Sequence, residues 1–224
     1  MSPTPVIWVA KGTYYGNAAS NASFCLSPGV SIYGGFAGNE NYDYDLSKRD
    51  FVTNATILDG TNTKRVILQL YNYNEATAVV IDGFTIRNGY DNSNDGGAAA
   101  YLRNYSSLRN CLVYDNVSEK YCGAIRITGD HSVIENCVIR NNRHISTYYG
   151  GGGVYMYSAK IINTKITDNE SNGQGGGIYA SGGSVINCLV SNNWAKMSGG
   201  IYGSPSLVLN TTVVKNSSEH EYAN

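Results

Sequence analysis

Any chemistry in this chain has to come from a few polar side chains that recur at one position of a repeated phrase. After each of several glycine clusters stands an aliphatic residue and then an outward one, which gives the row Tyr101, Arg126, Tyr155, Tyr179 and Tyr202. A cation among phenols suits a sugar cleft, because aromatic rings with polar tips bury apolar area at low entropy cost. An arginine beside a sugar α-proton is also what β-elimination by a polysaccharide lyase requires; no catalytic site is assigned, and Arg126, with the Asp91 to Asp95 loop, is what comes nearest to one. The competing readings are structural: an arginine stem covering neighbouring rings, and tyrosines that steady adjacent strands. Tyr148, Tyr149, Tyr157 and Trp194 would widen the row.

The metal candidates are Asp91-Asn92-Ser93-Asn94-Asp95-Gly96 and Asp168-Asn169-Glu170-Ser171-Asn172-Gly173. Each resembles the first half of a Ca²⁺ loop, with side-chain oxygens at alternate positions ahead of glycine. Leu102 and Tyr179 stand where the closing glutamate belongs. Asp91, Asp95 and Asp168 are therefore weighed against ordinary polar turns, and no resident cofactor is expected. The remaining carboxylates show no repeat partner that would set two across one substrate. His131, His144 and His220 read as solvent-facing turn residues, and no GxSxG elbow frames a serine. Five cysteines without CxxC spacing indicate neither a zinc site nor a disulfide framework.

The elements that must position these residues show in a second phrase, an Asn or Asp followed six positions on by Asn. Its members are Asp82 and Asn88, Asn110 and Asn116, Asn136 and Asn142, Asn163 and Asn169, Asn187 and Asn193, and Asn210 and Asn216. Successive starts fall 28, 26, 27, 24 and 23 residues apart, the signature of a solenoid. Gly 26, Tyr 19 and only Pro 4, with no helical apolar stripe, point to short strands and many turns. The expectation is an all-β, single-stranded, right-handed parallel β-helix of about 8 to 9 coils, each of three short strands. One domain covers 1–224, with opening coils over 1–60 and regular coils over 61–224. Val113, Ile139, Ile166, Val190 and Val213 form the aliphatic core, and the first Asn of each copy stacks on its equivalents at a bend. Cys111, Cys137 and Cys188, in line with Thr164 and Thr211, read as an internal stack in which a Cys111 to Cys137 bridge is sterically allowed.

The pairing of Cys122-Gly123-Ala124-Ile125 with Ile139-Arg140-Asn141-Asn142 or Ile166-Thr167-Asp168-Asn169 resembles the GGA[ILV] and FxxN repeats of polymorphic outer-membrane proteins. Ile or Val replaces the Phe of that pattern. Ile7-Trp8-Val9-Ala10-Lys11-Gly12-Thr13-Tyr14, Gly29-Val30-Ser31-Ile32-Tyr33-Gly34-Gly35-Phe36-Ala37-Gly38-Asn39-Glu40 and Thr56-Ile57-Leu58-Asp59-Gly60 are similar to the opening coils of secreted bacterial right-handed β-helix proteins. The resemblance implies an exported or surface-bound bacterial module. Three functions stay open: an adhesin-like or glycan-contacting module that meets polysaccharide or a surface protein, a polysaccharide lyase or glycoside hydrolase fragment, and a structural spacer. A net charge of -1 with 15% charged residues gives no reason to expect nucleic acid, and no apolar run is long enough to span a membrane. The opening Met1-Ser2-Pro3-Thr4-Pro5 is not a signal peptide, and the lack of a capping element after Asn216 points to a fragment of a longer chain.

Overall fold

The phrase that starts at Val133 shows how one coil is made. Val133–Glu135, Val138–Arg140, Arg143–His144 and Val154–Tyr157 are its four strands, each paired in parallel with its equivalents in the coils before and after. We refer to the sheets these strands join as first to fourth. The structure is a computed structural model that describes residues 5–16 and 22–220, so the leading 1–4 and trailing 221–224 lie outside it. Among the described residues the four sheets hold eight, eight, six and seven strands. The fold is the expected right-handed parallel β-helix, of about eight turns. The difference is the third sheet, whose two-residue strands make each regular coil four-sided rather than three-sided. No helix among the described residues is long and apolar enough to cross a membrane.

Both residues of the Asn phrase are structural, with separate tasks. The first, as in Asn110, Asn136, Asn163, Asn187 and Asn210, holds φ between 47° and 53°, a left-handed bend that Asn tolerates better than other residues with a Cβ. The second is the one that stacks. Asn142 Oδ1 accepts from the backbone N and Nδ2 of Asn116, and Asn142 itself donates both groups to Asn169 Oδ1. The same exchange runs on through Asn193 to Asn216, with the four earlier amides at most 1% exposed. Each Nδ2 also reaches a strand carbonyl of the preceding coil, which ties the bend to the second sheet. The expectation that the first Asn forms the stack is thus corrected. The first copy is also shifted: Leu112 pairs with Thr85, so Gly83 and Gly89, not Asp82 and Asn88, occupy the equivalent positions. Gly89 N duly donates to Asn116 Oδ1 at 2.8 Å.

Inside, Ile86, Val113, Ile139, Ile166 and Val190 are fully buried, whereas Val213 in the last described coil is 43% exposed. Cys111, Cys137 and Cys188 point into this core as free thiols, and burial pushes the Cys111 and Cys188 thiols up. From Ser106 onward two residues join the first strand to the second and two join the second to the third. The link from third to fourth strand is different. It ranges from 196–200 to 145–153, and this one corner absorbs much of the unequal repeat length.

Candidate functional site

The outward row lies where the phrase predicts. Tyr101 pairs with Arg126, Arg126 with Tyr155, Tyr155 with Tyr179 and Tyr179 with Tyr202, all on the fourth sheet. Close backbone approach before each strand brings them into line: a Cβ on Gly123 would meet the Gly152 carbonyl oxygen at 1.9 Å, so only glycine admits this spacing.

The rings of this row do not lie flat on the sheet. Tyr155 and Tyr179 are parallel within 3° with centroids 5.0 Å apart, and Tyr179 and Tyr202 follow at 5.6 Å and 28°. Coplanar rings would collide at that distance, so the faces turn toward each other, because parallel strands are set about 4.8 Å apart. Ring edges and hydroxyls face outward. Arg126 takes the place of a ring in this column, its guanidinium carbon 4.7 Å from the Tyr101 centroid and 5.6 Å from that of Tyr155. Tyr101 is only 4% exposed, and Arg65 and Arg103 also lie over it at 5.6 and 4.4 Å.

The long corner connections complete the site. Tyr149, from 145–153, meets Tyr179 edge-on at 6.3 Å, and Tyr121 and Asp95 come from the equivalent connections of earlier coils. With Arg126, Tyr155 and Tyr179 they enclose a cleft of about 390 Å³. Burial pushes the Tyr155 and Tyr179 phenols up, so both remain hydroxyl donors near neutral pH. Cys122 borders the cleft, but burial pushes its thiol up to about 12, and it stays protonated. Tyr157 is exposed one outward position further along its strand, and Tyr148 is exposed beside Tyr149. Trp194 belongs elsewhere: it pairs with Glu170 and Ser217 on the third sheet, beside a separate cleft of about 410 Å³ with Asp168.

The three aspartates suggested for Ca²⁺ do not converge. Asp91 is held by Arg65 at 2.7 Å, Asp95 lines the cleft, and Asp168 lies on the other corner with φ 58°. Arg65 also donates to Ser93 Oγ and to the Gly96 carbonyl, so it organises the 92–99 connection much as a cation would. Beside this pair a second cleft, of about 630 Å³, includes Lys64, Arg103 and again Asp95. No group of three or more His, Cys, Asp or Glu among the described residues is disposed to hold a metal ion.

His144 was expected in solvent with His131 and His220, and it is buried, since its strand position points inward between Ser118 and Ser171. Its Nε2 lies 3.3 Å from the Lys120 carbonyl and Nδ1 3.1 Å from Ser171 Oγ. Burial lowers its affinity for a proton below the ordinary imidazole value of 6.5. The unfolded chain therefore binds a proton that the folded one refuses. Stability should be full above about pH 6.5 and fall as pH drops from there toward the folded value. Ser118 and Ser171 are neutral, and Lys120 offers only its carbonyl, so no facing charge offsets this. Urea midpoints measured from pH 8 to pH 5 should show the decline, and His144→Asn should flatten it across that window.

Residues 59–195 match a protein family described as right handed beta helix region. No curated protein and no solved structure matches the chain.

Proposed function

The chain belongs to the right-handed β-helix family, and from that premise we propose that it is a non-enzymatic binding module, secreted or at the cell surface, that contacts glycan in an adhesin-like manner. The observation that carries this reading is the cleft of about 390 Å³ lined by Tyr149, Tyr155 and Tyr179 together with Arg126. A row of donors at coil spacing matches a ligand that is itself a chain of hydroxyls. Wide, polar and floored by a rigid sheet, the cleft needs little ordering when it binds. The residues that form the contact are Tyr101, Arg126, Tyr155, Tyr179 and Tyr202, with Tyr101 serving as support because it is buried.

Binding to a panel of neutral and acidic polysaccharides tests this. Tyr155→Phe and Tyr179→Phe remove a hydroxyl without disturbing the ring column, so each should weaken the bound glycan about fivefold while leaving the urea midpoint in place. The stacked column also favours a second reading, a structural spacer. If no polysaccharide binds, and Tyr155→Ala and Tyr179→Ala do no more than lower stability, the spacer reading replaces the first.

A further inference from the structure

Five of the described arginines meet a carboxylate: Arg49, Arg65, Arg87, Arg109 and Arg143. Arg103, Arg126 and Arg140 meet none among the described residues. Arg140 lies alone over Tyr114 on the second sheet, whereas Arg103 and Arg126 converge on Tyr101, at 4.4 and 4.7 Å. Among the described residues each makes a single side-chain hydrogen bond, to a backbone carbonyl: Arg103 Nε donates to Gln69, and Arg126 Nη1 to Asp95. Their remaining N–H groups have no partner among the described residues; Arg126 Nε is buried, so the terminal nitrogens are the ones that Arg126 can offer. The two arginines border the two adjoining clefts, Arg126 the one of about 390 Å³ and Arg103 the one of about 630 Å³.

A guanidinium held on an aromatic face keeps its charge and its fixed fork of donors, and that fork matches a carboxylate or sulfate better than it matches a neutral hydroxyl. Five of the other six described arginines have such forks matched by Asp or Glu, and the sixth, Arg140, stands by itself on another sheet. Here two that share one ring are left without a carboxylate. Resting on the binding role proposed above, we infer that the ligand is an acidic glycan lying across both clefts, its carboxylate or sulfate-ester groups meeting Arg126 in one and Arg103 in the other. The exposed Asp95 lines both clefts and opposes that anion, which sets a limit on affinity.

The test is equilibrium binding of the intact chain to three polymers, polygalacturonate, dextran sulfate and uncharged dextran, at low and high salt. An acidic polymer should bind and lose affinity as salt rises, and dextran should not compete. Polygalacturonate alone would assign carboxylate, and dextran sulfate alone a sulfate ester. Arg103→Gln and Arg126→Gln should each weaken the acidic polymer about tenfold. Asp95→Asn should tighten it about threefold, and because that side chain is exposed, this variant stays informative even if Arg126→Gln disturbs the ring column. Dextran bound as tightly as the acidic polymers, with no effect of salt or of Arg103→Gln, would overturn the inference and leave the glycan-binding reading intact. Binding to none of the three, nor to any polysaccharide of the wider panel, would remove both.

Discussion

Asn169→Leu should destabilise the protein by about 4 kcal/mol, more than most single substitutions, because it strands several buried partners at about 1–3 kcal/mol each. Asn169 Oδ1 is the acceptor for the backbone N and Nδ2 of Asn142, and Asn169 Nδ2 reaches the carbonyls of Ile139 and Thr167. Leucine has the right size and no polar atom, so these groups face an apolar wall in a site 1% exposed. The neighbouring Asn163 provides the contrast. It is exposed with φ 50°, a backbone that glycine adopts freely, so Asn163→Gly should stay within about 0.5 kcal/mol of the parent. Urea unfolding of both variants checks the pair. Equal losses would mean that the two Asn positions do the same work and that the ladder is not what holds the coils.

The second large effect is expected at Gly123. A methyl group there would lie 1.9 Å from the Gly152 carbonyl oxygen and 2.7 Å from that of Gly151, both backbone atoms with no rotamer to escape into. Gly123→Ala must push two coils apart and break Gly123 N to Gly151 O and Ala124 N to Gly152 O, so a loss of about 3 kcal/mol or more is expected. Glycan binding should fall with it, since Arg126 and Tyr155 follow directly on those segments. Gly29→Ala makes the comparison: φ is 71°, but the nearest atom lies 3.8 Å away, so only the backbone preference is lost, about 1 kcal/mol. A Gly123→Ala variant that unfolds at the same urea concentration as Gly29→Ala would show that the coils yield where the contact distance says they do not.

The architecture was legible because a parallel stack imposes its period on the chain: residues that pair across coils recur at nearly constant intervals, and the row from Tyr101 to Tyr202 could be aligned from glycines alone. What stayed hidden depended on atoms rather than spacing. Asn suits both a left-handed bend and a buried ladder, so residue type could not say which member of the phrase did which. The first copy slipped by one position because glycine at 83 and 89 replaces both. The third strand has two residues, too few for any alternation to show. Ring orientation follows from strand separation, which is why a row of tyrosines in the sequence is a stacked column in the fold. His144 looked exposed in a polar stretch, and its burial depends on Ser171 in the next coil, 27 residues on. The unpaired state of Arg103 and Arg126 is equally invisible in sequence, since their neighbours Asp91 and Asp95 suggest partners that the fold gives to Arg65 or turns away.

The uneven corner between the third and fourth strands divides the molecule into a fixed part and a free part. Where the ladder runs, an added residue would put that coil's amide out of step with both neighbours, so those bends are frozen at two residues. Between the third strand and the glycines that precede the fourth no Asn ladder constrains the chain, and connections such as 92–99 and 145–153 differ in length with no change in the stack. Those same connections supply Asp95 and Tyr149 to the cleft wall. The cleft can therefore be rebuilt by exchanging loops at one corner, with the frame beneath untouched, in the manner of a scaffold that presents variable segments on an invariant core.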